Sequence, residues 1–144
     1  MEKIMDDEYV LEKFPAFLKQ KIQSGDVVLP TNTKFEYDKI LAYRCIARED
    51  GDCTKVNRKD MRSYYELGKI PRGVDRNSPT WYAASLNKNK RDLENVMHFP
   101  RPKKRIAKGY VYQEGGPQES EEGNHINWWL YSCASFDEFV ILEG

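Results

Sequence analysis

Cysteine and histidine are scarce in this chain, with three and two among 144 residues. Their scarcity removes most metal and redox chemistry from consideration. Cys45, Cys53 and Cys133 are odd in number and have no Cys-x-x-Cys spacing, so neither a disulfide framework nor a zinc centre is expected. Cys45 and Cys133 fall in strand-like runs and read as buried, inert thiols. His98 and His125 are too far apart for an HExxH pair, and no EF-hand loop is present. There is also no GxGxxG, no GxxxxGK[ST] and no GxSxG, the patterns that cradle phosphates or expose a nucleophilic serine. No cofactor and no metal are called for. Long apolar runs are missing too: nothing approaches the roughly 20 residues that span a bilayer. The start, Met1-Glu2-Lys3-Ile4-Met5-Asp6-Asp7-Glu8, has no basic end followed by an apolar stretch, as a secretory signal would. A reduced, cytoplasmic protein with no membrane partner is the expectation.

Charge is abundant but sorted. Lys and Arg total 23 and Asp and Glu total 23, giving a net charge of zero. Between 87 and 108 lie Lys88, Lys90, Arg91, Arg101, Lys103, Lys104, Arg105 and Lys108, whereas from Gln113 onward there is no Lys or Arg at all. Such segregation implies either electrostatic steering of a partner or pairing of the two segments within the fold.

Hydrophobic residues make up 40% of the chain, enough for the core of one domain. Val10, Phe14, Phe17, Leu18 and Ile22 recur at helical spacing, with Pro15 opening a second helix and Ser24-Gly25 ending it. Val27 to Leu29 reads as a short strand. Ile40 to Arg48 reads as a longer one, with Leu41, Tyr43, Cys45 and Ala47 on one face and Arg44 and Arg48 on the other. Asn57 is a good N-cap, supported by Asp60, for a helix running to Leu67 with Met61, Tyr64 and Tyr65 as its buried stripe. Further strands are expected at 80–86, 105–113, 125–132 and 138–142, and a helix burying Leu93, Val96 and Met97 between the first two of them. The polar stretch 114–124 reads as a long loop, with Glu119, Glu121 and Glu122 as solvated charges. The pattern predicts an α+β fold: a mostly antiparallel sheet of about five strands with three or four helices. It forms a single globular domain over residues 1–144, with the helical segment 1–24 packed on it.

The most informative run is His125-Ile126-Asn127-Trp128-Trp129-Leu130-Tyr131. Alternation puts Ile126, Trp128 and Leu130 on one face and His125, Asn127, Trp129 and Tyr131 on the other. The second face, flanked by Arg44 and the loops at Arg72 and Gly115-Gly116, has the aromatic and polar character of a ligand- or partner-binding surface. The bland alternative is that the N-terminal helices cover Trp129 and Tyr131. His125 would be the natural acid–base group, and His98 fits a helix end better.

An enzymatic reading comes from three other patches. Tyr43-Arg44, Ala83-Ala84-Ser85-Leu86 and Asp137-Glu138-Phe139-Val140-Ile141 follow one another in an order that resembles the Arg-Ser-Glu ADP-ribosyltransferases. The resemblance implies that Arg44 holds a dinucleotide, Ser85 supports its pocket and Glu138 stabilises an oxocarbenium-like transition state. The family's Ser-Thr-Ser pattern is absent, and Phe136 stands where the first glutamate of Glu-x-Glu would be. A third reading is nucleic-acid binding through Arg101, Lys103, Lys104, Arg105 and Lys108, with Phe99, Tyr110 and Tyr112 nearby for stacking. The sequence pI near 6.7 weighs against it.

Overall fold

The computed structural model describes residues 8–49, 52, 55–97, 103–120 and 123–142. Cys53, His98 to Pro100, Arg101, Glu121 and Glu122 lie outside them.

Two short helices come first, α1 (Glu8–Lys13) and α2 (Ala16–Ser24). Pro15 is the N-cap of α2, and Gly25, at φ 83°, closes it in the left-handed conformation that glycine adopts without strain. Val27 and Leu29 are buried but form no strand. Six strands follow: β1 (Ile40–Ala47), β2 (Ala84–Asn87), β3 (Lys104–Val111), β4 (Gln118–Ser120), β5 (His125–Trp128) and β6 (Val140–Leu142). They form one antiparallel sheet in the order β4-β5-β2-β1-β3-β6, with α3 (Tyr64–Leu67) and α4 (Lys90–Met97) in the connections. The fold is therefore α+β as expected, with one strand more than anticipated.

The additional strand is β4, inside the stretch expected to be a polar loop. Glycine makes it possible. A Cβ on Gly116, whose φ is 137°, would stand 2.0 Å from the Trp129 carbonyl oxygen, and one on Gly115 would stand 2.8 Å from the Trp128 ring. Only a chain without side chains here can pass beneath the two tryptophans. Residues 115–119 are buried in consequence, and β4 hydrogen bonds to β5 on one side and to Lys34 on the other.

Each sheet face has its own apolar cluster. One gathers Ala42, Ile46, Ala84, Leu86, Ala107, Ile126 and Trp128 beneath Met61, Phe136 and Phe139. The Phe139 ring lies directly on Gly109, where a Cβ would come within 2.4 Å of it, so this glycine marks a close approach and no bulge. The other cluster packs Leu11, Phe14 and Leu18 of the helices against Val27, Leu29, Tyr82, Trp129 and Tyr131.

The segment expected to be one helix from Asn57 to Leu67 is two capped pieces. Asn57 and Asp60 form a capping box over a 3-10 turn (Arg58–Met61), and Ser63 and Glu66 form a second over α3. The break at Arg62 and Ser63 turns the second piece outward. Met61 is buried as expected, but Tyr64 and Tyr65 are exposed. In α4, capped by the Asn89 side chain on the Asp92 N–H, Val96 is exposed and not buried.

Burial raises the phenol pKa of Tyr37, Tyr82 and Tyr131, the last to about 12. The folded chain thus favours neutral phenols, while the unfolded chain ionises near the ordinary value of about 10. The contribution of Tyr131 to stability is complete below about pH 10 and is lost as pH climbs from about 10 through about 12, and Tyr37 and Tyr82 act in the same direction. Melting temperature is expected to drop steeply over that window. A melt unchanged between pH 9 and 11.5 would contradict the burial of these rings.

Candidate binding surface

The four residues expected on one open face of β5 do not share one. Trp129 and Tyr131 are fully or nearly fully covered by α1 and α2. The Trp129 indole donates to the Pro79 carbonyl at 2.9 Å, and the Tyr131 ring meets Phe14 at 5.1 Å with the Lys13 ammonium on it. The second core cluster needed these two rings, and a chain of this size has few other large apolar groups to fill it. Asn127 is buried and donates to Glu119 of β4 at 3.2 Å. His125, half-buried at the start of β5, has its Nε2 2.7 Å from the Ser85 hydroxyl.

A serine against a histidine is the contact a nucleophile–base pair requires. Among the described residues, however, the other ring nitrogen has no side-chain partner to orient it. The bond ties β2 to β5, diagonal to the Ser85–Asn127 register pair.

Arg44, Ser85 and Glu138 are not brought together. The Arg44 guanidinium is turned into the fold, where it donates to the carbonyls of Asp60 (2.7 Å), Ser85 (2.8 Å) and Arg62 (2.9 Å). Desolvation pulls its pKa below the ordinary arginine value. Its role is to tie β1 and β2 to the 58–62 segment. Strand alternation puts the Ser85 side chain on the opposite sheet face. Glu138 precedes β6, three strand positions from β2, or about 14 Å at ordinary strand spacing. Its carboxylate is exposed and 4.0 Å from the Lys39 ammonium.

β1 has the two faces expected from its alternation, and the face that carries the arginines is the inner one. Arg44 and Arg48 point into the fold with Ala42 and Ile46, and Arg48 forms a buried fork to Asp60. Leu41, Tyr43, Cys45 and Ala47 form the outer side. Cys45 is half-buried, and Cys133 is exposed in the turn after Tyr131 and not within a strand. The charges of β1 go inside because backbone carbonyls and one carboxylate wait for them there.

Among the described residues, this outer side carries exposed aromatic and apolar groups across three neighbouring strands at one end, whereas Ile106, opposite Cys45 on the same side, is buried. Leu41 of β1 stands opposite Tyr110 of β3, and Tyr43 stands opposite Lys108, which in turn faces Val140 of β6. Leu41, Tyr110 and Val140 are exposed by 38%, 40% and 54%, so each keeps a substantial part of its surface in solvent. Lys104 lies on the same face beside Ala47, and the Lys39 ammonium sits 5.4 Å from the Tyr110 ring centre. The basic segment is thereby divided. Lys104 and Lys108 face outward with the tyrosines, and Arg105, on the inner side, donates to the Lys104 carbonyl. Lys103 sits just before β3 at a φ of 61°.

At one end the surface deepens into a cleft of about 280 Å³ between Lys39, Tyr110, Tyr112, Glu138 and Phe139. Leu41, Tyr43 and Lys39 were outside every site expected from sequence, whereas Tyr110 was expected beside the basic segment. The signal was present as the alternation of β1, which does not by itself say which side faces inward. Among the described residues no three His, Cys, Asp or Glu side chains converge as a metal centre would need, and no helix is long and apolar enough to cross a membrane. A scan against protein-family models, a search of curated proteins and a search of solved structures each give no match.

Proposed function

We propose that this domain binds single-stranded nucleic acid on the outer face of β1, β3 and β6. The observation that carries the reading is the register: Leu41–Tyr110 and Tyr43–Lys108–Val140 form two adjacent rows of ring, ammonium and aliphatic side chain. Adjacent strands lie about 4.8 Å apart, so this three-strand face is about 10 Å wide and can support one or two stacked bases. Each stack on a tyrosine contributes about 1–3 kcal/mol and is indifferent to sequence. Lys104 and Lys108 on this face, with Lys103 just before β3, supply the charge that a phosphate backbone needs. Sixteen of the 23 acidic residues precede Gln113, so the reading rests on the lysines of this face and not on the net charge of the chain.

Anisotropy of a labelled octathymidylate tests the proposal. Release of counterions from about three phosphates gives a slope of log affinity on log salt near −2, or roughly a 20-fold loss between 50 and 200 mM salt. Tyr110→Ala is expected to weaken binding by about tenfold or more without lowering the melting temperature, since the ring is half in solvent. No binding, or binding that ignores salt and the Tyr110 ring, would leave a protein partner as the better account of the face.

A further inference from the structure

The cleft at the end of this face differs from the rest of it in chemistry. Beside Tyr110 and the Lys39 ammonium it presents the carboxylates of Asp137 and Glu138. These would repel a phosphate, so whatever enters must offer them hydrogen-bond donors. Ionised carboxylates only accept, and an ammonium only donates. Glu138 and Lys39, 4.0 Å apart, therefore present an acceptor and a donor side by side at the mouth of an aromatic-walled pocket.

Resting on the nucleic-acid reading above, we propose that this cleft takes a single guanine base. Its volume of about 280 Å³ suits one base and not a dinucleotide. Guanine is the base whose Watson–Crick edge carries two adjacent donors, N1–H and the 2-amino group, next to an acceptor, O6. The two donors match both oxygens of one carboxylate, and O6 matches the ammonium. Adenine and cytosine offer one exocyclic amino group beside ring acceptors. Thymine and uracil place their single N–H between two carbonyls, which a carboxylate disfavours. The Tyr110 ring, held near Lys39, is the stacking platform, and Tyr112 is fixed at the back by its hydroxyl, which donates to the Ser135 carbonyl at 3.1 Å and accepts the Ser135 N–H at 2.8 Å.

The experiment compares thymidylate octamers carrying one central guanine, hypoxanthine or cytosine with octathymidylate itself. The guanine octamer is expected to bind at least tenfold more tightly than octathymidylate, and hypoxanthine, which lacks the 2-amino group, to lose most of that gain. In Glu138→Gln the guanine octamer and octathymidylate are expected to bind within about twofold of each other. The Glu138 side chain is 71% exposed, so the variant should fold, and a thermal melt checks this. If the wild-type chain binds all the octamers within twofold, or if Glu138→Gln keeps the preference, the guanine pocket is overturned while the nucleic-acid reading stands. If no octamer binds, both fail together.

Discussion

Trp129→Ala is expected to destabilise the domain by about 3–5 kcal/mol, the range for removing a large buried aromatic and leaving a cavity. The ring is fully buried, and its neighbours come from three separate parts of the chain: α1 and α2, the Val27–Leu29 segment, and the turn around Tyr82. None of them can collapse into the space without giving up contacts of its own. The substitution also leaves the Pro79 carbonyl without its indole donor. Denaturant unfolding measures the effect, and a loss below 1 kcal/mol would mean that the N-terminal helices do not cover this face in solution. Trp129→Phe separates the two causes. It restores most of the volume but not the hydrogen bond, so it should recover more than half of the loss.

Asp60→Asn should be comparably damaging, at about 3–5 kcal/mol, for an electrostatic reason. The Asp60 carboxylate receives Arg48 at 2.5 and 2.7 Å, and one of its oxygens also accepts the Asn57 N–H at 2.9 Å. Both side chains of the pair are 7% exposed. Neutralising one partner leaves a buried guanidinium without its counter-charge, which costs far more than the intact pair contributes. The converse follows from the same physics. Arg48→Met combined with Asp60→Leu removes both charges at once and is expected to be markedly more stable than Asp60→Asn alone, even with the Asn57 cap lost. A double variant no better than the single one would show that the cap and the hydrogen bonds Arg48 donates to the Ala47 and Lys55 carbonyls outweigh the ion pair.

What could be read from the sequence was whatever depends on neighbours along the chain. The Asn57 cap with Asp60, the glycines ending helices at 25 and 68, and the strand at 104–111 all follow from local rules. So did the alternation of β1 and β5 and the α+β class. What could not be read was the answer to what lies above each face. Arg44 and Arg48 are interior because carbonyls at 60, 62 and 85 and the Asp60 carboxylate meet them there, and none of those partners is a neighbour of β1 in sequence. Strand β4 contains no apolar residue, and its burial depends on tryptophans eight to eleven positions further on. The same limit applied to the candidate surface. Trp129 and Tyr131 carry the character of a binding face, but α1 and α2 claim them, while the less conspicuous Leu41 and Tyr110 stay exposed with Tyr43 half-buried beside them.

The position of β5 in the sheet also governs the order in which the protein can be completed during synthesis. This strand lies between β4 and β2, and the Ser132 N–H just beyond it bonds the Lys13 carbonyl at the end of α1. Until residues 125–131 leave the ribosome, β2 has an open edge, α1 and α2 have no surface to dock on, and both apolar clusters lack a tryptophan. A nascent chain arrested before that point displays hydrophobic helices and an unsatisfied strand, the features that chaperones and proteases engage. Synthesis of this segment closes the side covered by α1 and α2, and residues 136–142, which bring Phe136, Phe139 and β6, then complete the other.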